Sequence, residues 1–184
     1  MMRGTLLMLL ALGMQTVSAQ AHDSAWLIST YTGLALLDGA RGKVDDGPLV
    51  GVGVGKFLSS DFRLDLEIER VFSEYDDAPA GVDDSFEINT ATLMGRYYFR
   101  DSQRWRPFLA AGLGWSDHSG VLSESSNLSI TFGLGLGYRW NSRFSSRLQL
   151  QYRRDTDSIR EAGQNNFNDW LVTVALSYAL SGGH

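Results

Sequence analysis

The sequence predicts an all-β chain whose eight antiparallel strands close up-and-down into a transmembrane barrel. Three observations carry this reading. Apolar residues recur with period two in segment after segment, and the intervening face is made of glycine, charge and amide. The connections alternate between long and short. No segment after the N-terminal leader shows the 3.6-residue stripe of an amphipathic helix.

The strands are expected near 24–36, 48–58, 61–73, 85–99, 105–116, 127–140, 143–155 and 167–180. In the first, Trp26, Ile28, Leu34 and Leu36 compete with Leu27, Tyr31 and Leu37 for the apolar face, so its orientation stays open. The second alternates valine with Gly51, Gly53 and Gly55. The third, Arg63-Leu64-Asp65-Leu66-Glu67-Ile68-Glu69, alternates charge with aliphatic side chains. The fourth ends in Tyr97-Tyr98-Phe99, and the fifth carries Gly112 and Gly114 between large residues. Gly133-Leu134-Gly135-Leu136-Gly137-Tyr138 repeats the glycine alternation in the sixth. The seventh sets Leu148, Leu150 and Tyr152 against Arg147, Gln149 and Gln151, and Trp170 to Tyr178 closes the series.

Between strands, residues 38–47, 74–84, 117–126 and 156–166 form long, polar, mostly acidic connections. Ser59-Ser60, Arg100 to Arg104 and Asn141-Ser142 are tight links. Long connections at one end and short ones at the other are how outer-membrane barrels are built. Pro48 and Pro107 fall at strand starts and Pro79 in a loop, where no ladder donor is lost.

Which face is apolar decides between a soluble and a membrane barrel. A soluble barrel, such as a lipocalin-like carrier, turns its large apolar residues inward; a membrane barrel inverts this. Glycine in a row weakens a strand and covers nothing, so it is a poor choice facing water. It fits a narrow bore that must house long side chains from the neighbouring strands. The glycines of the second strand adjoin the charges of the third, and those of the sixth adjoin Arg147, Gln149, Gln151 and Arg153 of the seventh. Small against large fills an eight-stranded interior.

The inward charges are expected to be Asp65, Glu67, Glu69, Glu87 and Asp169 against Arg63, Arg106, Arg139, Arg147 and Arg153. Their signs balance, which predicts a paired network plugging the bore. Aromatic residues of the opposite parity gather near strand ends: Tyr98, Trp105, Trp115, Trp140, Phe144, Trp170 and Tyr178. These are the expected interfacial girdles.

The beginning of the chain has a different character. Arg3 precedes the apolar run Leu6 to Met14, and small residues follow at Val17-Ser18-Ala19 and Ala19-Gln20-Ala21. This is the layout of a secretory signal peptide ending at residue 19 or 21, and the run is too short to span a bilayer as a helix. Residues 22–184 are then expected to form a single barrel domain. The 184 residues contain no cysteine, which excludes disulfides, thiolate metal sites and cysteine nucleophiles. A net charge of −5 argues against nucleic acid as a partner.

No chemical motif survives inspection. Gly51 to Lys56 is one residue short of a phosphate-binding loop, with Phe57 where Ser or Thr is needed and no helix to follow. The acidic pairs Asp45-Asp46, Asp76-Asp77 and Asp83-Asp84 lack the alternating ligands and glycine of an EF-hand. His118 stands between Asp117 and Ser119, but strand neighbours alternate direction and do not converge on one proton. Neither a catalytic site, a cofactor nor a metal is expected.

The leader, the segment Arg104 to Trp115 (RWRPFLAAGLGW) and Tyr97-Tyr98-Phe99 before a short turn resemble the small outer-membrane β-barrels of Gram-negative bacteria. The nearest type is the OmpA-like transmembrane barrel and its opacity-protein relatives. The resemblance implies a porin-like cell-envelope protein inserted into the outer membrane by the barrel assembly machinery. Lipid and lipopolysaccharide would surround it, and its loops would meet an unidentified surface ligand. Leu180 stands where the family's last strand usually ends in an aromatic residue, and the resemblance does not extend to a wall-anchoring domain. Some eight-stranded relatives deacylate lipid A with a His-x-Ser-Asn arrangement late in the barrel. The corresponding stretch here, Tyr152-Arg153-Arg154-Asp155-Thr156-Asp157-Ser158, offers no imidazole. The expected function is therefore non-enzymatic, in envelope structure or surface interaction through acidic loops. A narrow pore or a lipid A-modifying enzyme are the alternatives.

Overall fold

A computed structural model describes residues 25–39, 44–74, 85–99, 104–120, 123–156 and 167–180. The signal peptide expected over residues 1–19 or 1–21 lies outside them, as do most residues of the long connections 74–84 and 156–166. Eight strands form: β1 (Trp26–Leu36), β2 (Gly47–Phe57), β3 (Phe62–Glu74), β4 (Ser85–Tyr98), β5 (Trp105–Gly120), β6 (Ser123–Arg139), β7 (Phe144–Thr156) and β8 (Phe167–Ala179). Each pairs antiparallel with its sequence neighbours, and β8 returns to β1 to close the barrel. Closure leaves no open sheet edge, so every strand is hydrogen-bonded on both sides.

The short links are built by local side-chain chemistry. Asn141 Oδ1 accepts from the backbone N–H of Arg143 and of Phe144, both at 2.8 Å, reversing the chain between β6 and β7. Ser59 Oγ does the same between β2 and β3, accepting from Phe62 N at 3.0 Å.

The alternation sorts cleanly into an outer apolar face and an inner polar one. Leu66, Leu134, Leu148 and Val174 are each about half exposed on the outside, while Asp65, Gln149 and Thr173 are buried within. The competition in β1 resolves by register. Tyr31 lies opposite Gly51 on β2 and Ala175 on β8, so Leu27, Tyr31 and Ala35 point inward and Trp26, Ile28, Leu34 and Leu36 point out. Tyr31 can sit there because Gly51 has no Cβ; one built on it would run into the Tyr31 ring.

Three placements differ from the sequence expectation. β5 and β6 continue past 116 and start before 127, pairing as far as Gly120↔Ser123, so what reads as a long polar loop is mostly a tall hairpin. Tyr98 is buried inside the barrel and not in the outer aromatic set; its neighbour Tyr97 takes the outward position. Glu87 faces outward. On β4 the buried set is Ile88, Thr90, Thr92, Met94, Arg96 and Tyr98, because Ile88 lies opposite the buried Val71 of β3 and fixes the parity of the whole strand.

The bore also holds more apolar side chains than its glycine and charge suggest. Tyr31, Ala35, Leu49, Val71, Ile88, Leu171 and Ala175 pack together in the half nearer the long connections. Met94, Tyr98, Phe108 and Ala110 pack in the half nearer the short turns, against Phe57.

Candidate functional site

The bore is organised around charge, and its central residue is Arg96 of β4. Arg96 is wholly buried. Its Nη1 donates to Asp65 Oδ2 at 2.7 Å, and its Nη2 donates to Glu67 Oε1 and Oε2 at 2.8 and 2.9 Å. From the far wall, Gln149 Oε1 of β7 accepts from its Nε and Nη2 at 3.3 and 3.1 Å. A planar guanidinium with five donors suits this junction, since it can serve three acceptors at once.

Two further arginines complete this cluster. Arg147 of β7 reaches across to Glu67, Nη2 donating to Oε1 at 2.5 Å. Arg63 lies two residues before Asp65 on the same face of β3. Its Nε and Nη2 donate to Asp65 Oδ1 at 2.8 and 2.5 Å, and Nη2 also donates to Ser29 Oγ at 3.0 Å. Gly53 and Gly55 of β2 lie opposite Glu67 and Asp65 and leave room for them; a Cβ on Gly53 would meet Glu67 Cγ at 3.1 Å.

A second cluster lies nearer the long connections. Arg153 Nη1 donates to Glu69 Oε1 at 2.7 Å and to Thr90 Oγ1 at 3.2 Å, and its Nη2 donates to Asp169 Oδ2 at 3.1 Å. Asp155 is also close, its Oδ1 3.9 Å from Arg153 Nε. Asp169 in turn ties down the rim, since its Oδ1 accepts from Asp38 N at 3.1 Å. Membrane-level charges that face a protein interior are expected to be paired in this way.

Of the expected inward residues, Arg63, Asp65, Glu67, Glu69, Arg147, Arg153 and Asp169 therefore meet in these two clusters. Arg106 is also buried. Its Nη2 donates to Ser60 O at 2.7 Å, and its guanidinium lies over Tyr98 at 4.7 Å and Phe57 at 5.5 Å. Arg139 has the inward parity but sits at the very end of β6, exposed at the mouth, and joins neither cluster. Glu87, on the outer face, lies 3.5 Å from Arg70 in a half-exposed pair. Arg96 and Asp155 are the members that sequence reasoning missed. The signal for Arg96 was present in Thr90-x-Thr92-x-Met94-x-Arg96, whose polar members share one parity.

On the outside, Trp105, Trp115, Trp140, Phe144, Trp170 and Tyr178 are all exposed. Trp105 and Trp140 flank Tyr138 at 4.6 and 4.9 Å between ring centres, Phe144 pairs with Tyr178 at 5.0 Å, and Trp170 with Tyr152 at 5.2 Å.

The His118 backbone lies within β5, between its strand neighbours Asp117 and Ser119. Among the described residues no group of three or more His, Asp or Glu side chains could hold a metal ion.

The sequence matches the family described as "Outer membrane protein beta-barrel domain" over residues 5–179. The chain belongs to that family. Solved barrels share its fold. Neisserial surface protein A superposes with a TM-score of 0.61 at 14% identity, over 84% of this chain and 97% of that one. The N-terminal β-barrel domain of Pseudomonas aeruginosa OprF gives 0.58 at 17% identity, over 86% and 100%. OprG from Pseudomonas aeruginosa gives 0.56 at 14% identity, over 89% and 100%. A search of curated protein sequences found no match. The outward apolar face is thus a lipid-facing one, and the barrel resides in the outer membrane of a Gram-negative bacterium, among its lipids and lipopolysaccharide.

Proposed function

We propose that this barrel is a sealed, non-enzymatic envelope protein whose working part is its set of acidic surface loops. The observation that carries the reading is the crossing of the bore, Arg147 of β7 reaching Glu67 of β3 and Arg96 of β4 meeting Gln149 of β7. Side chains locked this way stiffen the barrel and occupy the path that solutes would need. The acidic pairs Asp76-Asp77 and Asp83-Asp84 fall in one long connection, on the side that faces the cell exterior in barrels of this build. Against a lipid A-modifying role stands the engagement of Arg153 and Asp155, which fill the late-strand positions with an internal ion pair.

The test is complementation of a deletion strain, scored by survival in detergent and chelator. The full chain should restore survival; a chain with Asp76, Asp77, Asp83 and Asp84 changed to Ser should insert normally and fail to restore it. Full activity of that variant would overturn the loop assignment, and an altered lipid A acyl pattern on expression would establish an enzyme. The barrel assembly machinery is the proposed route of insertion.

A further inference from the structure

At the end of the barrel bearing the short turns, a cavity of about 360 Å³ opens below the charged junction. That volume is within the range of small-molecule sites, about 300–1,000 Å³. Among the described residues its charged lining is of one sign: Arg63, Arg106, Arg139, Arg143 and Arg147. Phe57 and Tyr98 supply an apolar wall.

Two observations point to an anion. Among the described residues Arg63, Arg96 and Arg147 share two carboxylates, Asp65 and Glu67, so three positive charges meet two negative ones. Further along the bore the imbalance reverses, with Arg153 facing Glu69, Asp155 and Asp169. The interior is polarised along its axis, positive towards the short turns. Moreover, Arg147 is 95% buried and lines the cavity, yet its Nε and Nη1 have no hydrogen-bond partner among the described residues. A buried guanidinium donor left unmatched is costly, and a charge-assisted bond from an oxyanion removes that cost.

We propose that this vestibule binds a small organic oxyanion from the periplasmic side, a carboxylate or phosphate monoester. Its charge meets Arg147, and its apolar part packs on Phe57 and Tyr98. Arg139 and Arg143, exposed at the rim, draw it in. The proposal rests on the outer-membrane orientation of the barrel and is independent of whether the loops or the sealed bore are its working parts.

The experiment is isothermal titration of the refolded full chain in a non-ionic glucoside detergent, with phenyl phosphate as probe. Inorganic phosphate and benzyl alcohol separate the charge from the ring. Phenyl phosphate should bind saturably at one site, at least tenfold more tightly than either control. Arg147→Gln should weaken it at least tenfold, and the double change Arg139→Gln with Arg143→Gln should weaken it several-fold. No saturable binding, equal binding of benzyl alcohol, or undiminished binding in Arg147→Gln would overturn the proposal. Should Arg147→Gln fail to refold, as judged by its unboiled gel mobility, undiminished binding in the rim double variant overturns it instead.

Discussion

Glu67 and Arg147 stand eighty positions apart in sequence and meet at 2.5 Å across the bore. Because both are nearly fully buried, neither can trade its partner for water. Removing one partner of such a pair leaves the other uncompensated, at a cost of about 3–5 kcal/mol. Glu67→Ala is therefore expected to lower unfolding stability in liposomes by that amount. Arg147→Ala should cost less in the Glu67→Ala background than alone, by more than about 0.5 kcal/mol in a double-mutant cycle. Additive losses would mean the two do not interact.

The outward carboxylate provides the contrast. Glu87 and Arg70 form a half-exposed pair at 3.5 Å, and exposed ion pairs contribute about 0–1 kcal/mol. Glu87→Gln should leave the unfolding midpoint nearly unchanged while Glu67→Gln does not. Equal losses in urea titrations of the two variants would contradict the parity assigned to β4.

On the lipid face of β6, Leu128 lies opposite Trp115 of the outer aromatic set, and Leu134 lies between that level and Tyr138, which faces Trp105 at the other end; both leucines are about half exposed. Leu134→Arg should cost about 2–4 kcal/mol and Leu128→Arg less, since the penalty for arginine falls towards the interface. Folding titrations into liposomes would read both. Tolerance of Arg at Leu134 would count against a lipid-facing strand.

Glycine makes the interior possible, and this too can be measured. A Cβ at Gly51 would overlap the Tyr31 ring, so Gly51→Val should destabilise by about 1–3 kcal/mol through overpacking. Tyr31→Ala in the same chain should recover part of that loss by clearing the space. Failure of the second change to rescue the first would place the strain elsewhere.

How far the sequence reaches is visible in these same residues. The alternation from Arg63 to Glu69 fixes a face at every position, so β3 and its glycine partner β2 are readable in full. β4 is not, because Asn89-Thr90-Ala91-Thr92-Leu93-Met94 mixes small and apolar side chains on both parities. The adjacent Tyr97 and Tyr98 then give no preference, which hid both Arg96 and the true direction of Glu87. Parity also says nothing of height. Arg139 has the inward phase and still ends at the open mouth, where it pairs with neither cluster. The tall β5–β6 hairpin was obscured for a related reason, since polar residues suit a strand above the lipid as well as a loop.

The sealed bore is tested most directly by current through single barrels in a planar lipid bilayer. The wild-type chain should give small or intermittent conductance, because Arg96, Arg147 and Glu67 cross the path and are held in place from both walls. A large and steady conductance in the wild-type protein would contradict the plug and make a pore the better reading of this barrel.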